Sequence, residues 1–506
     1  METKKLDNLL EDHKLLLTKL KELAFNSFLR DRYDFSINSI RAFATVAANI
    51  NFIYTDENLE SLLGEVALKL VENNVGFNSE GFANRIVFYD GFGRTNVPLT
   101  LQYIRALKKS GVEILYIYED LKGRSDSEIE NELSTASQIT VFKLSSSLSP
   151  SNKILKAFDV IARFNPSKAL LHLGEVHVEA VAVFSLFPKM VKYRINLGDH
   201  HFWFGANQLD FCLEFRGYGA EISIKKRGIP LNKILYQPYY PIIDDRPFEG
   251  FPFYKDAADI VVFSGGRLFK IFGRDHEYFS IVKRILEENP NVKFVLAGKN
   301  GGYANYISKF IKQNGFENRF YYIGHRRDVN EVFKRCDLYL NTYPQSGSLM
   351  CLYAAVNNKP ILTYTTEDLP ENRTEDLLYN YISVHCVSYY QKDLFFSHVS
   401  KLVNNQEYRF LIGKEMAKFV ISRSEFDLLL IDNLQSSNAF CFEDIVIDYA
   451  AFVKLSLEME YSFYNMTAYA LLKNYSWKVF FYFPRNTIKV LDYIFTWVFL
   501  KMRFSI

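Results

Sequence analysis

Apolar positions recur at helical spacing through the first eighty residues, beginning with Leu9, Leu10, Leu16, Leu17 and Leu20. Two further helical stretches cover 36–49 and 57–71, the second opened by Thr55-Asp-Glu-Asn with carboxylates in its first turn. At Arg85 the period changes. The short apolar run 86–89, a Gly-containing loop, a helical pattern over 98–109 and an apolar run over 112–118 make a βαβ unit of a parallel sheet. Further strands are expected at 139–141, 169–173, 191–196 and 211–215, with helices near 153–163 and 178–187 between them. Pro238, Pro241, Pro247 and Pro252 then crowd into a connector. Beyond it strands at 259–263, 292–297, 320–323, 338–341 and 360–364 alternate with helices at 277–288, 303–314, 329–335 and 350–356. From about Lys401 the pattern is helical again.

The expected class is therefore α/β. It has a helical region 1–80, a Rossmann-like domain 81–240, a linker 241–258, a second Rossmann-like domain 259–400 and a helical region 401–506. Two parallel sheets joined by a linker face each other across a cleft lined by strand carboxyl ends.

Composition changes this picture little. Sixty basic against fifty-eight acidic side chains leave +2, which removes the global argument for a nucleic-acid partner. Cys212, Cys336, Cys351, Cys386 and Cys441 are widely spaced and form no C-x-x-C pair, so neither a disulfide framework nor a structural zinc site is expected. Glu175 and His177 stand two apart without further ligands, and no metal is expected. The amino terminus starts a charged helical pattern, and no apolar run reaches the ~18 residues of a membrane span. A cytoplasmic protein follows, either free or peripheral on the inner face of the cell membrane. Residues 471–506 bear on that choice: six cations and a single acid are interleaved with Trp477, Phe481, Trp497 and other aromatics. That tail either binds an anionic membrane surface or packs back across both domains.

Chemistry concentrates in the second α/β domain. Ser264-Gly265-Gly266-Arg267-Leu268-Phe269-Lys270 follows a strand. Its glycines admit an anion close to the backbone, and its two cations can neutralise a diphosphate. Ser346-Gly347-Ser348 opens a helix after another strand, offering hydroxyls and free N–H groups to an anion. Both loops lie at strand carboxyl ends, which points to nucleotide phosphates. In the first domain, Asp90-Gly91-Phe92-Gly93-Arg94-Thr95 and Asp199-His200-His201 also follow strands, so Gly91, Gly93, Arg94 and Thr95 should line the cleft. His325-Arg326-Arg327 and Lys299 are further candidates in the second domain.

The segment from Val261 to about Leu378 resembles the donor domain of GT-B fold glycosyltransferases. The stretch from Cys336 to Ser348, continuing to Asn358-Lys-Pro-Ile-Leu, is similar to the end of that domain in two groups. One is the retaining group with a paired-glutamate motif, the other the O-GlcNAc transferase-like group. The resemblance implies that Gly265, Gly266, Arg267 and Lys270 hold the donor diphosphate from one side, and Ser346, Gly347 and Ser348 from the other. His325 would join the donor site. The paired glutamates would fall at Gln345 and Tyr353, so neither is present and the acidic ribose contact is unassigned. Residues 46–52 and 56–63, Gly198–205 and Glu221–228 are similar to bacterial glycosyltransferases of this type, extending the resemblance over about 40–380.

On this reading a sugar moves from a UDP- or GDP-linked donor to a glycan, lipid-linked or protein acceptor, with no bound cofactor and no metal. Lys270 and Arg267 would stabilise the leaving diphosphate, and His200 with Asp199 would serve as base or contact the sugar. A non-catalytic glycosyltransferase-like subunit and a nucleotide-sugar epimerase stand as alternatives.

Overall fold

The computed structural model describes the chain except residues 1–2, 72–79, 93–96, 121–126, 274–275, 300–301, 379–386, 437–441, 443–444, 460–465 and 504–506, and gives backbone alone at 3–4, 127 and 496–503. Three helices come first, α1 (Thr3–Phe28), α2 (Tyr33–Ile50) and α3 (Glu57–Val71). The first α/β domain runs β1 (Phe82–Asp90), α4 (Val97–Lys109), β2 (Glu113–Asp120), α5 (Ser127–Ser134), β3 (Ile139–Ser145), α6 (Pro150–Phe164) and β4 (Pro166–His172). It continues through α7 (Val178–Ser185), β5 (Val191–Asn196), β6 (Phe211–Glu214), α8 (Gly217–Arg227) and β7 (Ile234–Tyr236). The second runs β8 (Ile260–Gly266), α9 (Glu277–Glu288), β9 (Val292–Gly298), α10 (Ala304–Gln313), β10 (Phe320–Tyr322) and α11 (Val329–Arg335). Then follow β11 (Leu338–Leu340), α12 (Ser348–Val356), β12 (Ile361–Tyr364), α13 (Thr374–Leu378) and β13 (Ser388–Tyr389). Helices α14 (Lys392–Asn404), α15 (Gln406–Ala417), α16 (Arg423–Gln435), α17 (Tyr449–Met459), α18 (Met466–Tyr475), α19 (Val479–Tyr482) and α20 (Thr487–Arg503) complete the chain.

The first sheet has seven strands in the order β3-β2-β1-β4-β5-β6-β7, the second six in the order β10-β9-β8-β11-β12-β13. Their paired strands are parallel throughout. Strand order reverses between β1 and β4 in the first and between β8 and β11 in the second. Such switch points open crevices at the strand carboxyl ends, because the following loops leave in opposite directions.

Both faces of each sheet are covered, which is why the strands read as continuous apolar runs rather than alternating ones. Alternate residues nevertheless serve different cores. Val87, Tyr89, Leu115, Ile117, Ala169 and Leu171 pack with α1–α3, α6, α7 and the C-terminal α18. Their neighbours Ile86, Phe88, Ile114, Tyr116 and Leu170 face the opposite way, into a core that also holds Val261, Phe263, Val295 and Tyr339 of the second sheet. The remaining face of that sheet, with Val262, Phe294, Leu296 and Leu340, closes against α9, α14 and α17. Thus the N-terminal helices are one layer of the first domain, and a single apolar cluster joins the two sheets. Each large side chain so buried contributes ~1.5–3 kcal/mol.

The Pro-rich connector forms no helix or strand between 237 and 259. It is anchored by rings: Phe251 stacks on Phe253, and Phe253 on Tyr321 at a centroid distance of 4.5 Å. After the second domain the chain returns to the first. Phe426 of α16 meets Tyr103 and Tyr240 edge-on, and the Asn433 amide donates to the Tyr236 carbonyl at 2.9 Å. A capping box starts that helix, with Ser422 and Glu425 satisfying each other's backbone N–H groups.

Candidate functional site

The second-domain lip of the cleft is built mostly from backbone. β8 ends in Gly265 and Gly266. A methyl group on Gly265 would sit 3.1 Å from the Ala297 carbonyl oxygen and 3.3 Å from Met350 Cε. Gly266 adopts φ +140° with open space where a side chain would point. Arg267 follows, exposed, with no ion-pair partner among the described residues. A 3-10 turn over Leu268–Ile271 then carries Lys270 back toward β11.

The loop after β11 meets it there. Asn341 Oδ1 accepts from the N–H groups of Thr342 and Gly347, both at 2.9 Å, and so shapes the turn into α12. Gly347 sits tightly, since a Cβ would lie 3.0 Å from the Tyr339 hydroxyl. Lys270 Nζ donates to the Ser346 carbonyl at 2.5 Å, joining the two loops directly. Ser348 opens α12. Burial and the nearby Arg267 and Arg216 guanidinium groups push the half-buried Lys270 amine down to about 8.

The opposite lip is made of charged side chains already spent on each other. Asp199, 1% exposed, follows β5. Its Oδ1 accepts from the His200 backbone N–H at 3.0 Å and pairs with His200 Nδ1 at 2.9 Å, while Oδ2 accepts from Arg216 Nε at 2.6 Å. Burial opposes ionisation of this carboxyl, but Arg216 and His200 overrule it and hold it well below the usual carboxylate range. The pairing leaves His200 Nε2 with no hydrogen-bond partner among the described residues. Its ring packs edge-on against His201 and against Phe452 of α17.

Helix α8 clamps this loop at both ends. Arg216 sits at its start. Arg227 in its last turn donates to the carbonyls of Asp199 (2.8 Å) and His201 (2.7 Å), and Gly228 ends the helix at φ +66°. Gly219 lets the first turn approach: a Cβ there would be 2.4 Å from Glu214 Oε2 and 2.9 Å from Asp199 Cβ. The second domain holds the same helix. Asp376 Oδ1 and Oδ2 accept from the N–H groups of Gly217 (2.9 Å) and Tyr218 (3.0 Å), and Arg216 Nη1 donates to the Glu371 carbonyl at 2.8 Å. The Glu371 carbonyl also accepts from Ser346 Oγ at 3.3 Å. Asp199, Arg216, Glu371 and Ser346 thus form one chain of contacts across the cleft. Burial raises Glu371 to about 8, Glu214 to about 7 and Asp376 to about 6.

The remaining candidates divide. Gly91 lies at the end of β1 and must be glycine, because a Cβ would strike the His177 ring at 2.5 Å. Gly93, Arg94 and Thr95 lie outside the described residues. His325 is exposed beyond β10, an edge strand two removed from β8. Arg326 is buried away from the cleft, bidentate to Asp328 and bonded to the Gly250 carbonyl at 2.7 Å, so it anchors the linker. Lys299 and Arg327 are exposed. At the positions of the paired glutamates, Gln345 donates to Met459 Sδ and Tyr353 to the Ile242 carbonyl, both structural uses. Among the described residues, no group of three His, Cys, Asp or Glu is placed to hold a metal ion. A cavity of about 350 Å³ under α5, lined by Tyr116, Tyr118, Ile129, Leu133 and Val141, holds none of these residues.

Sequence reasoning missed Arg216, Arg227, Glu371 and Asp376. It also missed the buried pair of Asp90 and His172 Nδ1, 2.9 Å apart at the first sheet's switch point, with Tyr116 donating to Asp90 at 2.7 Å. A signal existed for two of them: an Arg-Gly pair at each end of one helical stretch, at 216–217 and 227–228, directly downstream of the His loop.

Two parallel sheets with their switch points facing one cleft are the GT-B arrangement, and the chain has the fold of GT-B glycosyltransferases. Among solved structures, Anabaena HepE in complex with UDP and glucose is similar at a TM-score of 0.51 and 14% identity, over 70% of this chain and 99% of that one. A Staphylococcus aureus TarM variant in complex with fondaparinux, alpha-GlcNAc-glycerol and UDP gives 0.50 and 10%, over 70% and 100%. A glycosyltransferase from Rickettsia africae gives 0.50 and 9% over the same shares. No protein-family model and no curated protein matches the chain.

Proposed function

We propose that this chain is a glycosyltransferase that moves a sugar from a nucleoside-diphosphate sugar to an acceptor hydroxyl. The observation that carries the reading is the junction of the β8 and β11 loops at the switch point of the second sheet. There a lysine, an exposed arginine, an open glycine and a helix start converge. The departing diphosphate would gain two negative charges' worth of stabilisation from Arg267, Lys270 and the α12 N–H groups, the role a metal ion plays elsewhere. UDP in the HepE and TarM structures supports a uridine donor for a chain of this fold.

On the opposite lip, His200 would take the acceptor proton at Nε2. Asp199 accepts from Nδ1, which fixes the tautomer and stabilises the imidazolium as it forms. A glycan, lipid-linked or protein hydroxyl would enter from the side of Gly91. The Arg216 bond to the Glu371 carbonyl, and the Gly217 and Tyr218 N–H groups donating to Asp376, would hold the lips together and so exclude water, the competing acceptor.

The test is a thermal-shift panel of nucleoside diphosphates, followed by donor hydrolysis with the purified chain. Binding only to the folded state raises its melting temperature, so one diphosphate should stand out. Slow release of that diphosphate from its sugar supports the enzyme. Binding without turnover under any acceptor supports the non-catalytic subunit, and no shift with any nucleotide defeats both.

A further inference from the structure

Helices α18–α20 are two-faced. Inward, Leu471, Tyr475, Val479, Phe483 and Val490 join the core beneath α1 and α2, secured by Tyr475 donating to Ser39 at 2.8 Å and by the 3.2 Å contact of His13 with Thr467. Outward, Trp477 is 63% exposed, Phe481 76%, Ile488 80% and Phe495 63%. On α20 the exposed Ile488, Leu491 and Phe495 lie within about 60° of one another at 100° per residue, opposite Val490 and Tyr493. Trp477 and Phe481 pair edge-on at 5.7 Å. Lys473, Lys478 and Arg485 are exposed among them, against the single acid Asp492.

Folding leaves these aromatic and aliphatic side chains in water although an inward core was at hand. Their interleaving with cations matches a surface that is apolar beneath and anionic above. We propose that this face is an interfacial membrane-binding surface: its rings and aliphatic chains insert at headgroup level, and its cations meet anionic lipid phosphates. The helices lie on the bilayer rather than cross it, as no helix among the described residues is long and apolar enough to span one. A patch of this composition on one edge of the first domain would hold the cleft at a fixed height above the membrane. The inference does not depend on the transfer reading.

The experiment is co-sedimentation of the full chain with vesicles of phosphatidylcholine alone or mixed equally with phosphatidylglycerol, at low and high salt. Binding to the mixed vesicles alone, weakened by salt, is expected. The pair Lys478→Ala and Arg485→Ala should lower partitioning roughly thirtyfold, at about 1 kcal/mol per cation. Phe481→Ser with Ile488→Ser should abolish it at either salt, while both variants keep the wild-type melting temperature because the altered side chains touch no core. The proposal falls if the wild-type chain stays in the supernatant, or if either variant binds as the wild type does. It falls too if the wild type is a dimer that Phe481→Ser with Ile488→Ser dissociates, which assigns the face to a second copy.

Discussion

The two lips of the cleft solve opposite problems with similar residues. On the first-domain side Arg216, Arg227 and Asp199 are buried and bonded within the fold: every strong bond they make is to the protein. On the second-domain side Arg267 is exposed, Lys270 spends one bond on a carbonyl, and glycine backbone fills the rest. A charge bonded within the fold is positioned but has little left for a ligand. One left solvated, as Arg267 is, stays available to a ligand. On the proposed function the first lip would be scaffolding that aims His200, and the second the surface that receives charge.

The sharpest way to break this contrast is to unpair the scaffold. Asp199→Ala leaves Arg216 buried without its carboxylate, and removing one partner of a buried ion pair costs about 3–5 kcal/mol. Chemical denaturation should show that loss, and transfer should vanish with it. A variant as stable as the wild type would mean the Arg216 cluster is not holding the loop. Lys270→Ala tests the other lip. Melting should change little, since the amine's one protein bond is to a loop carbonyl, whereas transfer should fall by about 10²–10³. Equal loss of stability in both variants would erase the distinction between the lips.

Asp376→Ala comes next. It removes an acceptor from two backbone N–H groups at the start of α8 and cuts the tie between domains, for roughly 1–2 kcal/mol. The measurable signature is faster donor hydrolysis relative to transfer, as water enters a loosened cleft. An unchanged ratio would show that Arg216 alone holds the lips closed.

Legibility in the sequence followed the same division. The receiving lip was readable because its chemistry is local: glycines and cations within seven residues after a strand, and Ser-Gly-Ser at a helix start. That these loops touch was an inference from the α/β alternation, and the β8–β11 switch point supplies its reason. The scaffold was not readable. Asp199 finds Arg216 seventeen residues on and α8 finds Asp376 at a distance of 159, separations set by packing of domains and carrying no period. Strands β7 and β13, three and two residues long, escaped notice as well. The C-terminal tail was legible as basic and aromatic, but only the core beneath α2 decides which of its faces is spent.

The smallest effect expected is also the most diagnostic of the receiving lip. Burial, Arg267 and Arg216 depress the Lys270 amine from 10.5 to about 8. Below that value the amine is charged and attracts a diphosphate; as pH rises through it the charge is lost. The terminal phosphate of a nucleoside diphosphate titrates near 6, so its own charge is nearly constant above about pH 7. Affinity measured by calorimetry should hold nearly level from about pH 7 to 7.5 and then weaken by up to about tenfold by pH 9. Lys270→Arg keeps a cation at all these values and should flatten the profile, even if its longer, planar head binds less well at pH 7. Ligand binding itself raises the lysine's pKa, so the break belongs to the free protein and should fade as nucleotide saturates the site. A wild-type profile as flat as that of Lys270→Arg would show that Lys270 is not the group that meets the phosphates, and the receiving lip would then rest on Arg267 and the start of α12.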